Sequence, residues 1–188
     1  VADGIYYHDS LPPWCFADIA SVTLATTDKA LYPATSFPTF PSGFLNKMAG
    51  KKLTIDIFGR ITTAATPGNG TFDVYWGTGA DANGTILASS GTLALTASQT
   101  NVSWMLHLLV TVRAIGTSAQ GRLLVTGKAD FNVGVLASTL APMLIPAATA
   151  ADVQVDLTGT SIVSVNFKRS GSTAETMQIH DMVVSPLN

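Results

Sequence analysis

Three histidines (His8, His107 and His180), one cysteine (Cys15) and one glutamate (Glu175) are the scarce residues from which a catalytic or metal centre would be built. A zinc site takes its nitrogen and sulfur donors at short, regular spacings. No two of these histidines stand at such a spacing, and Cys15 alone completes no set. His180 and Asp181 are adjacent on a terminal strand, where alternation turns their side chains to opposite faces. Acid–base catalysis needs two carboxylates held together. Asp56, Asp73, Asp81, Asp130, Asp152, Asp156, Glu175 and Asp181 are scattered, and nothing in the sequence selects a pair.

The short motifs fail in detail. Gly116-Thr117-Ser118-Ala119-Gln120-Gly121 suggests a nucleophile elbow, but that turn needs glycine two residues after the serine, where Gln120 stands. Gly127-Lys128 suggests a phosphate loop, but Ala129 replaces the required hydroxyl residue and Gly121 is one position too far away. Asp81, Asn83 and Gly84 could touch calcium at a turn, but the full loop pattern is missing. Asn69, Asn83 and Asn101 each begin an Asn-x-Ser/Thr triplet, which matters only on a secretory route. The expectation is therefore no catalytic residue, no cofactor and no metal; the chain is not expected to be an enzyme.

The elements that would position any site are strands. Leu53, Ile55, Ile57 and Ile61 recur at period two, opposite Thr54, Asp56, Arg60 and Thr62. Phe72, Val74 and Trp76 repeat the pattern over residues 71–78. Asn69-Gly70 before them reads as a hairpin turn, because both residues tolerate positive φ. Asn83-Gly84 gives the same signal ahead of a short strand over residues 85–89. The longest strand covers residues 101–115, with Val102, Trp104, Leu106, Leu108, Val110, Val112 and Ala114 on one face. Leu123, Val125 and Ala129 alternate over residues 122–131. Further strands are expected over residues 153–157, 162–167 and 176–184, a helical turn around residues 42–48, and a long loop over residues 136–151. Eight or nine strands separated by Gly, Asn and Ser predict an all-β sandwich or barrel. Long helices do not alternate with these strands, so a parallel α/β sheet is not expected.

Residues 1–50 contrast with the rest. They carry Tyr6, Tyr7, Pro12, Pro13, Trp14, Phe16, Tyr32, Pro33, Phe37, Pro38, Phe40 and Pro41. Proline donates no ladder hydrogen bond, so this stretch is read as an irregular arm, and residues 51–188 as the sandwich. Aromatic side chains outside regular structure must still be buried. Two readings follow: an arm folded back over its own sandwich, or an arm reaching a neighbouring subunit. In the second, Tyr6, Tyr7, Trp14, Phe16, Tyr32, Phe37 and Phe40 form the interface.

Composition narrows the function. Charged residues are 12% of 188, against about 25% in ordinary domains, while 47% are hydrophobic. That excludes a disordered chain. Ten Lys and Arg against twelve Asp and Glu leave no positive field for nucleic acid. No apolar run approaches the ~18 residues of a membrane helix. Cys15 alone forms no intrachain disulfide, and Val1-Ala2-Asp3-Gly4 does not resemble a secretory leader, so a cystine-stapled secreted module is not expected. A monomer of this mass exposes ~8,600 Å². So few charges spread over that area favour a subunit with surface hidden in an assembly.

Several blocks carry a resemblance. They are Leu31-Tyr32-Pro33-Ala34-Thr35-Ser36-Phe37-Pro38, Ala64-Ala65-Thr66-Pro67-Gly68 at the end of a strand, and Thr71-Phe72-Asp73-Val74-Tyr75. Thr92-Leu93-Ala94-Leu95-Thr96-Ala97-Ser98-Gln99-Thr100-Asn101-Val102-Ser103-Trp104 and Thr111-Val112-Arg113 follow in order. Over residues 31–130 this series resembles a recurrent virion protein of tailed phages infecting actinobacteria. The resemblance implies an all-β fold, a jelly-roll-like antiparallel β-sandwich of about eight strands, acting as a minor capsid, head-decoration or tail-associated subunit, commonly trimeric. It would be made in the host cytoplasm and bind the major capsid protein on the capsid surface, with no nucleic-acid or membrane partner, and it transfers no catalytic residue. The N-terminal arm and the Ala-rich loop near residues 141–151 depart from the family pattern. The alternative is a tail-associated carbohydrate or receptor-binding module using Tyr75, Trp76 or Trp14 as stacking platforms.

Overall fold

A computed structural model describes residues 14–17, 20–32, 37, 39–81, 83–116, 120–132, 134, 143–171 and 174–187. Fourteen strands run through them: β1 (Trp14–Ala17), β2 (Val22–Thr23), β3 (Lys29–Ala30), β4 (Thr39–Phe40), β5 (Lys52–Thr62), β6 (Asn69–Gly77) and β7 (Thr85–Ser89), then β8 (Leu93–Ala94), β9 (Val102–Ala114), β10 (Gly121–Phe131), β11 (Met143–Ile145), β12 (Val153–Val155), β13 (Ser161–Arg169) and β14 (Thr176–Leu187). Leu45–Lys47 forms one 3-10 turn, within the span expected to turn.

The strands form two antiparallel sheets packed as a jelly-roll-like β-sandwich. The larger sheet runs β1-β14-β5-β9-β10-β11, with β2 also on β14 and β12 also on β10. The smaller runs β3-β13-β6-β7, with β4 also on β13 and β8 also on β6. The chain passes between sheets at β2 to β3, β4 to β5, β5 to β6, β8 to β9, β12 to β13 and β13 to β14.

Alternation fills the space between the sheets. Leu53, Ile55, Ile57 and Ile61 meet Trp104, Leu106, Leu108, Val110 and Val112, all buried, with Leu123, Val125 and Ala129 beside them. The smaller sheet contributes Phe72, Val74, Val163, Val165 and Phe167. Gly59 shares this inner face. A Cβ there would stand 2.8 Å from the Trp104 ring and 2.2 Å from the Gln178 carbonyl, so only glycine lets the indole lie against β5.

Four expectations change. Asn69-Gly70 is not a turn: it opens β6, with Gly70 paired to Arg169 and Leu93. The missing Cβ at Gly70 makes room for the Phe167 ring, whose Cζ would be 2.1 Å away. Packing thus overrides the local turn preference. Asn83-Gly84 does lie between β6 and β7, with Gly84 at φ +143°. The span 136–151 holds β11, paired to β10, and residues 135–142 lie outside the described residues. The described residues between 14 and 40 do not stand apart from the sandwich, because β1 and β2 edge the larger sheet while β3 and β4 edge the smaller. Their two- to four-residue lengths are too short to show a period. At His180 a register shift on β14 interrupts strict alternation.

Candidate functional site

The aromatic contact residues separate. Tyr6 and Tyr7 lie outside the described residues. Trp14 and Phe16 stand on β1, opposite Val184 and Met182 in backbone register. Tyr32, Phe37 and Phe40 are buried in the chain's own core, which corrects their expected place at an interface. Tyr32 meets Phe37 edge-on at 5.0 Å, and Phe40 stacks with Phe44 at 5.8 Å and Trp76 at 6.0 Å. Burying such rings removes large apolar areas from water. For these three, the arm folded back over its own sandwich is the reading that holds.

The glycan platforms change in the same way. Tyr75 and Trp76 are buried. The Trp76 indole N–H donates to the Asp156 carbonyl at 2.8 Å, and the Tyr75 hydroxyl donates to Asp28 Oδ2 at 2.5 Å. Neither ring offers a face to a sugar.

Tyr75 belongs to a polar cluster that sequence reasoning missed. On the outward face of the smaller sheet, Tyr75 stands opposite Ser164, and Asp73 opposite Asn166. Residues 24–32 lie against β13: Leu31 N–H donates to the Val165 carbonyl and Arg169 N–H to the Ala25 carbonyl. This brings Asp28 beside Asp73. Lys168 Nζ donates to Asp73 Oδ2 at 2.7 Å and stands 3.6 Å from Asp28 Oδ1. Burial holds the Asp28 carboxyl above the ordinary aspartate value; the Tyr75 hydrogen bond opposes this, and the neighbouring Asp73 adds to it. Burial, and then the Asp28 carboxylate, push the Tyr75 hydroxyl well up. The hydrogen bond to Asp73 raises the Lys168 ammonium.

So the structure selects one carboxylate pair, Asp28 and Asp73, where the sequence selected none. Both are already engaged, one by a tyrosine hydroxyl and one by an ammonium. Asp73 is closed from solvent and Asp28 nearly so, with side-chain exposures of 2% and 11%. Ser164 Oγ and Asn166 Oδ1 are buried beside them without hydrogen-bond partners among the described residues. The arrangement fastens residues 24–32 to β13 and β6.

Two further ties act on the same segment. Asp81, at φ +59°, accepts from Ala30 N–H at 2.7 Å and pairs with Lys29 at 3.2 Å, so its carboxylate is already used where calcium was considered. Arg169 Nε pairs with buried Glu175 at 3.3 Å and donates to the Leu24 carbonyl at 2.8 Å.

The outward face of the larger sheet spans eight strands. Asp56 and His107 face each other across β5 and β9, with Oδ1 and Nδ1 2.5 Å apart. Lys128 pairs with Asp130 at 2.9 Å, and Arg122 with Asp152 at 3.1 Å. Around these pairs lie Thr54, Met105, Leu109, Thr111 and Thr126, half-buried, with Phe58 and Leu144 exposed. Among the described residues no three His, Cys, Asp or Glu side chains are grouped to hold a metal ion. No helix among them is long and apolar enough to cross a membrane.

No protein-family model and no curated protein matches this chain. Among solved structures, a legume lectin-like domain from Entamoeba histolytica aligns over 93% of this chain and 89% of that one, at 8% identity and a TM-score of 0.30. So loose a likeness carries no argument about ligand or site.

Proposed function

We propose that this chain is a structural subunit of a tailed-phage virion: a minor capsid or head-decoration protein that forms a homotrimer and reinforces the coat by binding the major capsid protein. One observation carries the reading. The outward face of the larger sheet is wide, its charges are mostly spent in local pairs, and it exposes Phe58 and Leu144. Such a face suits association, where charge is depleted and apolar side chains are gained at the centre of contact. The sequence blocks over residues 31–130 support the same reading by their likeness to phage virion proteins.

The mechanism is adhesion by repetition. A closed ring presents three copies of one surface, and once the first contact is made the others become intramolecular. Individually weak contacts then add to a lasting attachment, which ties neighbouring coat subunits against internal pressure. Sedimentation velocity on the purified chain, followed by co-sedimentation with phage heads that lack it, tests the proposal. A trimer that pellets with the heads is expected. A monomer that stays in the supernatant overturns it.

A further inference from the structure

The larger sheet has one end unlike the rest of its outward face. On β5, Lys52 stands opposite Leu187 of β14 and Thr111 of β9. Arg113 follows Thr111 on the same face, and Ile115 continues that alternation just past β9. The chain before β5 lies along this end of β9. Gly50 N–H donates to the Val112 carbonyl at 2.7 Å, Val112 N–H to the Lys51 carbonyl at 2.8 Å, and Gly116 N–H to Asn46 Oδ1 at 2.8 Å. These bonds hold the segment that carries Met48 against this end of β9.

The corner therefore combines three of the large apolar side chains that the molecule exposes, Met48 (57%), Ile115 (45%) and Leu187 (41%), with the exposed cations Lys52 and Arg113. Neither cation has an ion-pair partner among the described residues. The nearby carboxylates are already engaged, Asp56 by His107 and Asp152 by Arg122. On the same face Lys128 and Arg122 have carboxylates beside them and Arg60 stands unpaired among the described residues toward the other end of β5, whereas here two unpaired cations share one end, on a chain whose net charge is -2. Unneutralised positive charge beside exposed apolar groups is complementary to an acidic protein surface with apolar patches. Two cations are too few to hold nucleic acid, where affinity grows with the number of phosphates neutralised.

We infer that this corner (Met48, Lys52, Arg113, Ile115 and Leu187) is the surface by which the chain seats on an acidic protein partner. Resting on the virion reading above, that partner is the coat lattice. The apolar groups supply the buried centre, and the two cations steer and orient the approach.

The test is co-sedimentation of the trimer with phage heads lacking this chain, across a sodium chloride series. Wild type is expected to bind, and to bind less as salt rises, because exposed charges are screened. Lys52→Glu with Arg113→Glu is expected to lower binding about tenfold or more at low salt, with oligomeric state and thermal midpoint unchanged. Lys52→Gln with Arg113→Gln, and Met48→Ser alone, are milder changes that keep the test decisive should the reversal disturb folding; each is expected to weaken binding. Wild-type binding that every variant matches overturns this surface and leaves the virion reading standing. Absence of wild-type binding to the heads overturns both. Binding to phosphatidylglycerol vesicles but not to heads, lost in the charge reversal, assigns the corner to a membrane and overturns the protein partner.

Discussion

Lys168 holds two carboxylates at once, and its removal is the sharpest test of the polar cluster. Asp28 is held above the ordinary aspartate value, so the folded state takes its proton more readily than the unfolded chain does. Its contribution to stability therefore rises as pH falls through the folded value, and is complete below the unfolded one. Lys168 is raised, so its contribution is present below the ordinary lysine value and is lost as pH climbs through the folded one. In Lys168→Met, Asp28 and Asp73 face each other without the ammonium. The deficit in urea midpoint is expected to be largest near neutrality and to shrink as pH falls toward the upper edge of the aspartate range; a deficit that ignores pH contradicts this. Glu175→Ala leaves the nearly closed Arg169 side chain without its counter-charge, and a loss of about 3 kcal/mol of unfolding free energy is expected. A loss within about 1 kcal/mol, on the scale of an exposed pair, would show that the Glu175–Arg169 pair matters little. None of these roles was legible in the sequence. Asp28 lies far from Asp73 along the chain, and only the docking of residues 24–32 on β13 brings them together. Glu175 was visible as the single glutamate, but a count cannot show that an arginine is buried against it.

At the scale of elements, the long strands were legible and the short ones were not. β5, β9 and β10 each carry enough alternating positions to fix both their faces, and their inward residues are those expected. β1 to β4 have no period to read, and the prolines around them argued for irregular chain. What makes them strands is the unpaired edge of β14 and of β13, which depends on the finished sheet. Asn69-Gly70 misled for a related reason, since the space its glycine leaves is filled by Phe167 from a distant strand. This division sets an expectation for truncation. Removing residues 1–23 strips β1 and β2 from an outer edge and is expected to leave a cooperative, folded sandwich. Removing residues 1–32 also takes Leu24, Leu31 and Tyr32 from the core and uncovers Asp73 and Asn166, and is expected to abolish the thermal transition seen by circular dichroism. Equal behaviour of the two deletions would contradict the core-forming role of residues 24–32.

For the whole molecule, the governing quantity is charge density. At 12% charged residues the chain must dress its surface largely with Thr, Ser, Ala and apolar groups. Its titratable groups are in large part spent holding segments together: Asp28, Asp73 and Lys168 at the arm base, Glu175 and Arg169 behind it, Asp56 and His107 across the larger sheet. What remains toward solvent suits contact with neighbours, and a multivalent ring turns weak contact into retention. The measurement that tests this most directly is imaging of intact phage particles that carry a label on this chain. The account predicts regular, threefold-clustered label over the coat lattice of the head. Particles that assemble without any label, alongside a solitary labelled chain left in solution, would contradict it.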